Sequence, residues 1–292
     1  MKENTRTLNK KFLSGEKLSW LTCYDYSFAK IIDSTDIDMI LVGDSGGMVT
    51  LGYKDTSPVT MDEMIMLSSA VRRGAPNKFI VGDMPKGSYE VSDEEAVRNA
   101  MRFIKESGCD AVKLEGFNEK ILSRVKSIVD SGIVVIGHIG LTPQSLAQQG
   151  GYRVVGRDKN EILSLQDGVD SLINSGVFSI LLEALPPDLA QKISEKSDVI
   201  IFGIGAGKYV HGQLLILHDL IGLYPDFRPK FAKCFVPQVI NSYIENKKSV
   251  FEKSEAFKVD GIYSISKLAI ESFILEVKSG EFPSDEFSYK NN

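Results

Sequence analysis

Short apolar runs rich in Val and Ile alternate with longer polar segments along most of the chain. The polar segments have helical spacing, and this alternation predicts parallel strands covered by helices. Eight such runs are present, and eight is the number of strands that closes a (β/α)8 barrel, the TIM-barrel fold class. The predicted strands cover residues 18–25, 38–45, 79–85, 111–116, 133–140, 179–185, 199–207 and 214–222.

Two of the predicted helices have clear signals for their first turn. Thr60 and Ser92 are each followed three residues later by Glu, which is the pattern of a capping box. We expect helices over residues 61–73, 93–107 and 118–131.

The composition is that of an ordinary globular chain of 292 residues, 43% hydrophobic and 25% charged. Its 34 basic and 39 acidic residues give a net charge of -5, which offers no electrostatic basis for binding nucleic acid or anionic lipid. The first residues, MKENTRTLNKKF, do not form a secretory signal, and no run approaches the roughly 18 apolar residues of a membrane span. The three cysteines lack CxxC spacing and are expected to be reduced. We therefore expect a cytoplasmic protein.

The sequence changes character after Lys233, where a helical segment rich in Lys and Glu begins. No linker rich in Pro, Gly or Ser divides the chain before it. We expect residues 1–292 to form a single (β/α)8 barrel domain with an atypical helical extension at about 234–275. Within that extension we expect an exposed loop near residues 247–259, where charged residues interrupt the apolar pattern.

Polar side chains recur at the C-terminal ends of the predicted strands. A solvated Gly-Asp-Ser turn or a core histidine would account for one of them, but not for the recurrence. In parallel barrels the C-terminal strand ends surround the active site, so these side chains should converge there. They are Asp44, Asp83, Lys113, Glu115, His138 and Glu183.

Three of these groups, Asp44, Asp83 and Glu115, are carboxylates that would repel one another in a shared pocket. A divalent cation would offset this repulsion, and hard oxygen ligands without a Cys/His cluster favour Mg²⁺ or Mn²⁺ over zinc. Lys113 faces the same side of its strand as Glu115. It would neutralise a substrate carboxylate or, alternatively, form an internal salt bridge to one of the acids.

Several longer motifs are more specific than these single residues. In their order and spacing they resemble the ketopantoate hydroxymethyltransferase family over roughly residues 5–233. GHIGLTPQS followed by GGY is the most specific of them. The motifs include LVGDS at 41–45, GDMPKGSY at 82–89, VKLEG at 112–116, GHIGLTPQS at 137–145, GGYRVVGR at 150–157 and LLEALP at 181–186.

The resemblance implies a barrel of the phosphoenolpyruvate/pyruvate superfamily type and dependence on Mg²⁺. It also implies a one-carbon transfer from 5,10-methylenetetrahydrofolate, as co-substrate, to 3-methyl-2-oxobutanoate, which gives ketopantoate for pantothenate biosynthesis. The assembly that it implies is a homo-oligomer, since the family forms decamers built as pentamers of dimers.

The resemblance also implies roles for individual residues around the metal. Asp44 and Asp83 match metal ligands that also lie against the substrate, and Glu115 matches the acid beside the metal. A 2-keto acid can chelate such a metal through one carboxylate oxygen and its keto oxygen, which would stabilise the enolate formed when the C3 proton is lost.

The remaining matches concern the keto acid and the base. Ser45, Lys113 and His138 match groups that hold the keto acid, and Glu183 matches the proposed proton acceptor. A base must stand clear of the metal, and Glu183 is on a different strand from the metal ligands. The alternative for Glu183 is a rim acid in a surface ion pair.

Two other functions fit a barrel with these residues. One is a Mg²⁺-dependent C–C or P–C lyase or mutase acting on another 2-keto acid, which should carry a loop of the KKCGH type that this chain lacks. The other is a non-catalytic barrel, in which the rim acids should have been lost. The chain also departs from the resembled pattern at Gly46, where a bulky apolar residue is usual, and at His211, where Asp is usual.

Overall fold

The computed structural model describes residues 2–249 and 261–290. Its strands form a closed parallel barrel in chain order, and the eighth strand pairs with the first. The predicted (β/α)8 fold class is therefore confirmed. The strands are β1 Leu18–Thr22, β2 Met39–Val42, β3 Phe79–Asp83, β4 Ala111–Glu115, β5 Val134–Gly140, β6 Ser179–Glu183, β7 Ile200–Ile204 and β8 Gly212–Leu215.

Helices connect successive strands and cover the outside of the barrel. In residues 2–249 and 261–290, none of them is long and apolar enough to cross a membrane. The helices are α1 Thr5–Leu13, α2 Tyr26–Asp33, α3 Gly46–Val49, α4 Met61–Gly74, α5 Asp93–Lys105, α6 Glu119–Asp130, α7 Leu146–Gln149, α8 Lys159–Asn174, α9 Pro187–Lys196, α10 Leu217–Ile221, α11 Val236–Ser249 and α12 Gly261–Ser279.

The helix start predicted at Thr60 is a complete capping box. The Thr60 amide donates to Glu63 Oε2 at 2.8 Å, and Thr60 Oγ1 accepts from the Glu63 amide at 3.3 Å. Ser92 Oγ accepts from the Glu95 amide at 3.1 Å, which is one half of such a box. Both helices therefore begin where the sequence predicts, because these side chains satisfy amides that the first turn leaves unpaired.

The eighth strand predicted at 214–222 is wrong after residue 215. Gly212–Leu215 is strand, but Leu217–Ile221 is the short helix α10. The Leu217 amide leaves the sheet and donates to Thr22 Oγ1 at 3.0 Å, and Gly222 ends the helix with a φ of 72°. An apolar run of this length fits a buried strand or a buried helix equally well, so periodicity alone does not separate them.

Large side chains fill the N-terminal half of the barrel. The strand register sets Trp20 level with Met39 on β2, and the Trp20 ring meets Phe202 edge to face at 5.0 Å between centroids. The Phe202 ring has room because Gly212 has no side chain, and a Cβ there would lie 2.6 Å from Phe202 Cε1. This end is a packed core, so polar groups gather at the C-terminal strand ends.

Helix α11 lies within the predicted 234–275 segment, and helix α12 begins in that segment and ends beyond it at Ser279. Phe235, Phe273 and Phe282 pack together with centroid distances of 5.6 to 5.9 Å, and α12 also contacts α2 and β1. Burial of these rings joins the C-terminal helices to the barrel. The exposed loop predicted near 247–259 falls largely on residues 250–260, which lie outside the described residues.

Candidate active site

Polar side chains from five strand ends meet at the C-terminal end of the barrel. The register pairs Asp83 with Lys113, Glu115 with His138, and Gly140 with Glu183. Paired residues of parallel strands point to the same side, and so do residues two apart along a strand. The structure thus brings together the ionisable residues selected from the sequence, which we call the rim cluster: Asp44, Asp83, Lys113, Glu115, His138 and Glu183.

Lys113 is the centre of the rim cluster. Its Nζ lies 2.8 Å from Asp83 Oδ1, 3.4 Å from Glu115 Oε1 and 3.2 Å from His138 Nδ1. Burial alone would lower the pKa of Lys113, but the charges of Asp83, Glu115 and Asp44 raise it above its ordinary value. The ammonium group is therefore charged, and the internal salt bridge that the sequence allows is present.

Asp44 and Asp83 are buried neighbours. Asp44 lies on the loop after β2, and Asp83 is the last residue of β3. The Asp44 amide donates to Asp83 Oδ2 at 3.1 Å. Burial raises the pKa of Asp44 well above its ordinary value, and the charges on Asp83 and Glu115 raise it further. Burial also raises the pKa of Asp83, although Lys113 opposes this. Two such carboxylates ionise together only with additional positive charge beside them.

Glu115 has partners for both of its oxygens. Oε2 accepts from the Gln144 amide at 3.1 Å, and Oε1 lies 3.2 Å from His138 Nδ1. Burial opposes ionisation, but Lys113 and His138 lower the pKa of Glu115 to about 2. Burial and Lys113 lower the pKa of His138, yet Glu115 and Glu183 outweigh them and raise it to about 9. Glu115 is therefore ionised at neutral pH.

Glu183 is the most exposed acid of the rim cluster. Its Oε2 lies 3.2 Å from His138 Nε2, and 15% of its side-chain surface is exposed, against 2% for His138. The next residue, Ala184, has a φ of 51°, a left-handed conformation that is uncommon without glycine. A Cβ on Gly140 would lie 2.3 Å from the Glu183 carbonyl oxygen, so this close approach requires glycine. The backbone around Glu183 is thus closely specified.

Ser45 lies beside Asp44 but points to a different partner. Its Oγ is 2.8 Å from the Tyr24 hydroxyl. The Tyr24 ring also accounts for Gly46, because a Cβ at that position would lie 2.6 Å from Tyr24 Cδ1. The space that a bulky apolar side chain would need at residue 46 is therefore filled by Tyr24.

Gln144 connects the two sides of the rim cluster, and the sequence analysis did not select it. Its Nε2 donates to Asp44 Oδ2 at 2.9 Å and to the Met84 carbonyl at 3.0 Å. Its Oε1 accepts from the Tyr89 hydroxyl at 2.6 Å. The sequence signal for this role was only its place in the GHIGLTPQS motif, on the loop that follows the strand of His138.

The carboxylates of the rim cluster fit a magnesium ion. Asp83 Oδ1 is buried, and its one close partner among the described residues is the Lys113 ammonium group at 2.8 Å, so the oxygen has room to accept a further positive charge. In residues 2–249 and 261–290, no three His, Cys, Asp or Glu side chains are already arranged as a metal cage. Mg²⁺ does not need one, since it is usually held by one or two carboxylates, with water or substrate oxygens. Asp44 and Asp83 supply that donor set.

A cavity of about 590 Å³ has Glu183 in its lining. Aromatic side chains form much of the wall, and basic side chains stand at its solvent-exposed edge. The aromatic residues are Tyr152, Tyr224, Phe227, Phe231 and Tyr289. The basic residues are Lys54, Arg153, Arg228 and Lys230.

A second carboxylate, that of Asp219, also lines this cavity. Asp219 is only 4% exposed, and within the described part of the chain its carboxylate has no hydrogen bond and no ion pair within 4 Å. Burial raises the pKa of Asp219 to about 6, with Arg228 opposing the shift. The sequence pattern predicts this residue within the eighth strand and indicates no functional role for it.

His211 lies at the opposite, N-terminal end of the barrel, immediately before β8. Its Nδ1 accepts from the Ile201 amide at 3.0 Å, and its Nε2 lies 3.1 Å from Ser194 Oγ. Burial lowers the pKa of His211 to about 4, so the ring is neutral at pH 7. This departure from the resembled pattern therefore does not reach the rim cluster.

The closed barrel, with its acids and bases at the C-terminal strand ends, defines the fold class as a (β/α)8 barrel with a polar cluster where such barrels carry their active sites. The chain is similar to 2,3-dimethylmalate lyase, with a TM-score of 0.59 and 13% identity over 96% of this chain and 99% of that chain. It is also similar to phosphonopyruvate hydrolase in complex with oxalate and Mg²⁺, with a TM-score of 0.59 and 11% identity over 95% of this chain and 98% of that chain. At such identities the likeness concerns the fold.

Sequence comparisons identify the family. The model of the ketopantoate hydroxymethyltransferase family matches residues 2–285. The 3-methyl-2-oxobutanoate hydroxymethyltransferase of Leptospira interrogans is 46% identical over 274 residues, 94% of each chain. The enzyme of the same name from Ignicoccus hospitalis is 45% identical over 284 residues, 97% of this chain and 98% of its own. The chain belongs to the ketopantoate hydroxymethyltransferase family.

The network around Gln144 predicts a loss of stability for Gln144→Ala. The change removes two donors and leaves Asp44 and the Tyr89 hydroxyl with fewer partners. We expect the free energy of unfolding, measured with urea, to fall by about 2 to 4 kcal/mol. Gln148→Ala, at an exposed position of the same segment, is the control and should change it by less than about 0.5 kcal/mol. Equal effects of the two changes would contradict the network.

The environment of Asp219 predicts a pH-dependent gain of stability for Asp219→Asn. Its folded pKa of about 6 lies above the ordinary 3.8, so the folded state binds this proton more tightly than the unfolded state does. The contribution of the Asp219 proton to the free energy of unfolding is therefore complete below about pH 4 and is lost as the pH rises through 6. We expect the variant to match wild type near pH 4 and to exceed it by about 3 kcal/mol above pH 6. Urea unfolding across this range that shows a constant difference would refute the prediction.

Proposed function

We propose that this protein transfers a hydroxymethyl group from 5,10-methylenetetrahydrofolate to 3-methyl-2-oxobutanoate in a Mg²⁺-dependent reaction that gives ketopantoate. Family membership supports the reaction. The observation that carries the proposal is the rim cluster, in which buried carboxylates and Lys113 lie beside a more exposed acid that faces a cavity. In the reaction the C3–H bond of the keto acid breaks and a C3–C bond forms. The donor's C–N bonds to that carbon break, and water supplies the hydroxyl oxygen.

Asp44 and Asp83 are the residues that would hold Mg²⁺, with Glu115 beside it. When bound, Mg²⁺ would polarise the keto group and stabilise the negative charge that develops as C3 loses its proton. Glu115 stands beside this position, with its two oxygens held by His138 and the Gln144 amide. Gln144 keeps Asp44 oriented toward this position by its 2.9 Å hydrogen bond.

Lys113, His138 and Ser45 are assigned to binding the keto acid. Lys113 is a charged, buried donor between Asp83 and Glu115, which hold it in place. An anionic substrate adds negative charge here, and the ammonium group offsets that charge at close range. Ser45 presents a hydroxyl next to Asp44, held by the Tyr24 hydroxyl at 2.8 Å.

Glu183 is assigned as the general base that removes the C3 proton. It is separated from Asp44 and Asp83 by Lys113 and His138, and it is the acid of the rim cluster that lines the cavity. His138 Nε2, 3.2 Å from Glu183 Oε2, would fix the direction of the carboxylate. The fixed direction matters because proton transfer requires a base within hydrogen-bonding reach of the proton.

The proposal extends to the setting of the protein. We propose a single barrel domain over residues 1–292 with a helical extension at about 234–275, in the cytoplasm, assembled as a homo-oligomer. The three cysteines are free, which suits a reducing compartment. Exposed apolar side chains on α11 and α12 suit burial against another subunit. They are Ile240, Ile244, Ile262 and Leu275.

Exchange of the C3 hydrogen with deuterated water isolates the base. The protein, given only Mg²⁺ and 3-methyl-2-oxobutanoate, should exchange that hydrogen without any folate. Glu183→Gln keeps the shape of the side chain but cannot accept a proton. We expect its exchange rate to fall by about 10² to 10⁴-fold with near-normal binding of the keto acid, measured by NMR and calorimetry.

Glu119→Gln, an exposed Glu to Gln change at the start of α6, is the matched control and should exchange at the wild-type rate. Exchange at the wild-type rate in Glu183→Gln would show that Glu183 is not the base. Loss of keto-acid binding in that variant would show instead that Glu183 positions the substrate.

A further inference from the structure

The cavity beside Glu183 is larger and more varied than a small keto acid requires. Its volume of about 590 Å³ is in the range of sites that hold drug-sized ligands. Glu183 and the buried Asp219 give it an acidic part, the walls are aromatic, and the basic side chains are exposed to solvent. A ligand that matches this order would have N–H donors at one end, flat rings along its length and a negative charge at the other end.

The carboxylate of Asp219 suits the N–H donors of such a ligand. The Asp219 carboxylate is 4% exposed and accepts no hydrogen bond from the described residues, so in the free protein only water in the cavity can solvate it. A ligand with N–H groups would supply the missing partners. The two oxygens of a carboxylate match a pair of parallel N–H donors, such as those on the edge of a 2-amino-4-oxopyrimidine ring.

The aromatic walls of the cavity suit the flat rings of such a ligand. The rings of Tyr152 and Phe227 lie 6.4 Å apart, and those of Phe231 and Tyr289 lie 6.2 Å apart. Tyr152 is 56% exposed and Phe227 is 58% exposed, although both line the cavity. Large aromatic surfaces left open in this way are suited to stacking on the flat rings of a ligand.

The basic side chains of the cavity suit the negative charge of such a ligand. The chain has a net charge of -5, yet four basic side chains line this cavity with only two carboxylates. Arg153 pairs with Glu161 at 2.7 Å, and Lys230 Nζ donates to the Ser288 carbonyl at 2.6 Å. Across residues 2–249 and 261–290, neither Lys54 nor Arg228 forms an ion pair within 4 Å. The charge of Arg228 acts on Asp219, so Lys54 is the side chain most able to attract an anionic group.

We propose that this cavity binds the one-carbon donor, with Asp219 accepting hydrogen bonds from the aminopyrimidinone edge of its bicyclic ring. The ring stacks against the aromatic walls, and the carboxylate tail of the donor extends to the basic edge. The inference rests on the proposed function, because it takes a reduced folate as the donor.

The main comparison in the experiment uses two ligands and two proteins. Wild type and Asp219→Asn are titrated with tetrahydrofolate and with its 2-desamino-2-methyl analogue, which lacks one of the two N–H donors. We expect wild type to bind tetrahydrofolate about 10- to 100-fold more tightly than the analogue, and Asp219→Asn to lose this preference. Tetrahydropteroate, which lacks the glutamate tail, should bind more weakly than tetrahydrofolate and depend less on salt.

Asp226→Asn is the matched control, since Asp226 is exposed and outside the cavity lining, and it should keep the wild-type preference. Equal binding of the two folates by wild type, or an unchanged preference in Asp219→Asn, would overturn the assignment even if ketopantoate is formed. The wild-type comparison needs no variant, so poor folding of Asp219→Asn would not decide the matter. Failure of wild type to bind tetrahydrofolate, with C3 exchange intact, would overturn both this inference and the proposed donor.

Discussion

The ion pair between Lys113 and Asp83 is the interaction on which the rim cluster depends. Burial of Asp44, Asp83 and Glu115 together is unfavourable, and one ammonium group at 2.8 Å from Asp83 and 3.4 Å from Glu115 offsets only part of it. Lys113 and His138 keep Glu115 ionised and lower its pKa. Burial outweighs the effect of Lys113 at Asp44 and Asp83, and the pKa values of these two residues are raised. The cluster therefore retains an affinity for further positive charge at Asp44 and Asp83.

The barrel makes this unfavourable arrangement possible. Trp20 and Phe202 pack the N-terminal half, which closes that end of the barrel behind the charged groups. The pairing of β3 to β6 holds the five strand-borne members of the cluster at fixed spacing, and the left-handed Ala184 fixes the backbone after Glu183. The stability supplied by the core supports a site that is itself destabilising.

The fold and most of the rim cluster could be predicted from the sequence, because both leave periodic signals. Asp83 and Glu183 end apolar strands, and parallel strands of a barrel bring such ends together. Gln144 and Asp219 left no such signal. Gln144 lies on a loop, where its hydrogen bonds depend on tertiary approach, and Asp219 was hidden in a run that divides between β8 and α10. Position along an apolar run does not show where a strand gives way to a helix.

The most direct test of the central claim is a Mn²⁺ titration followed by electron paramagnetic resonance, with Mn²⁺ standing in for Mg²⁺. The account predicts one bound ion per chain in wild type and in Asp62→Ala, whose carboxylate lies on the outer helix α4. It predicts that Asp83→Ala loses this binding while it keeps its fold, because Asp83 is one of the two carboxylates proposed to hold the ion. Wild-type Mn²⁺ affinity in folded Asp83→Ala would contradict the account.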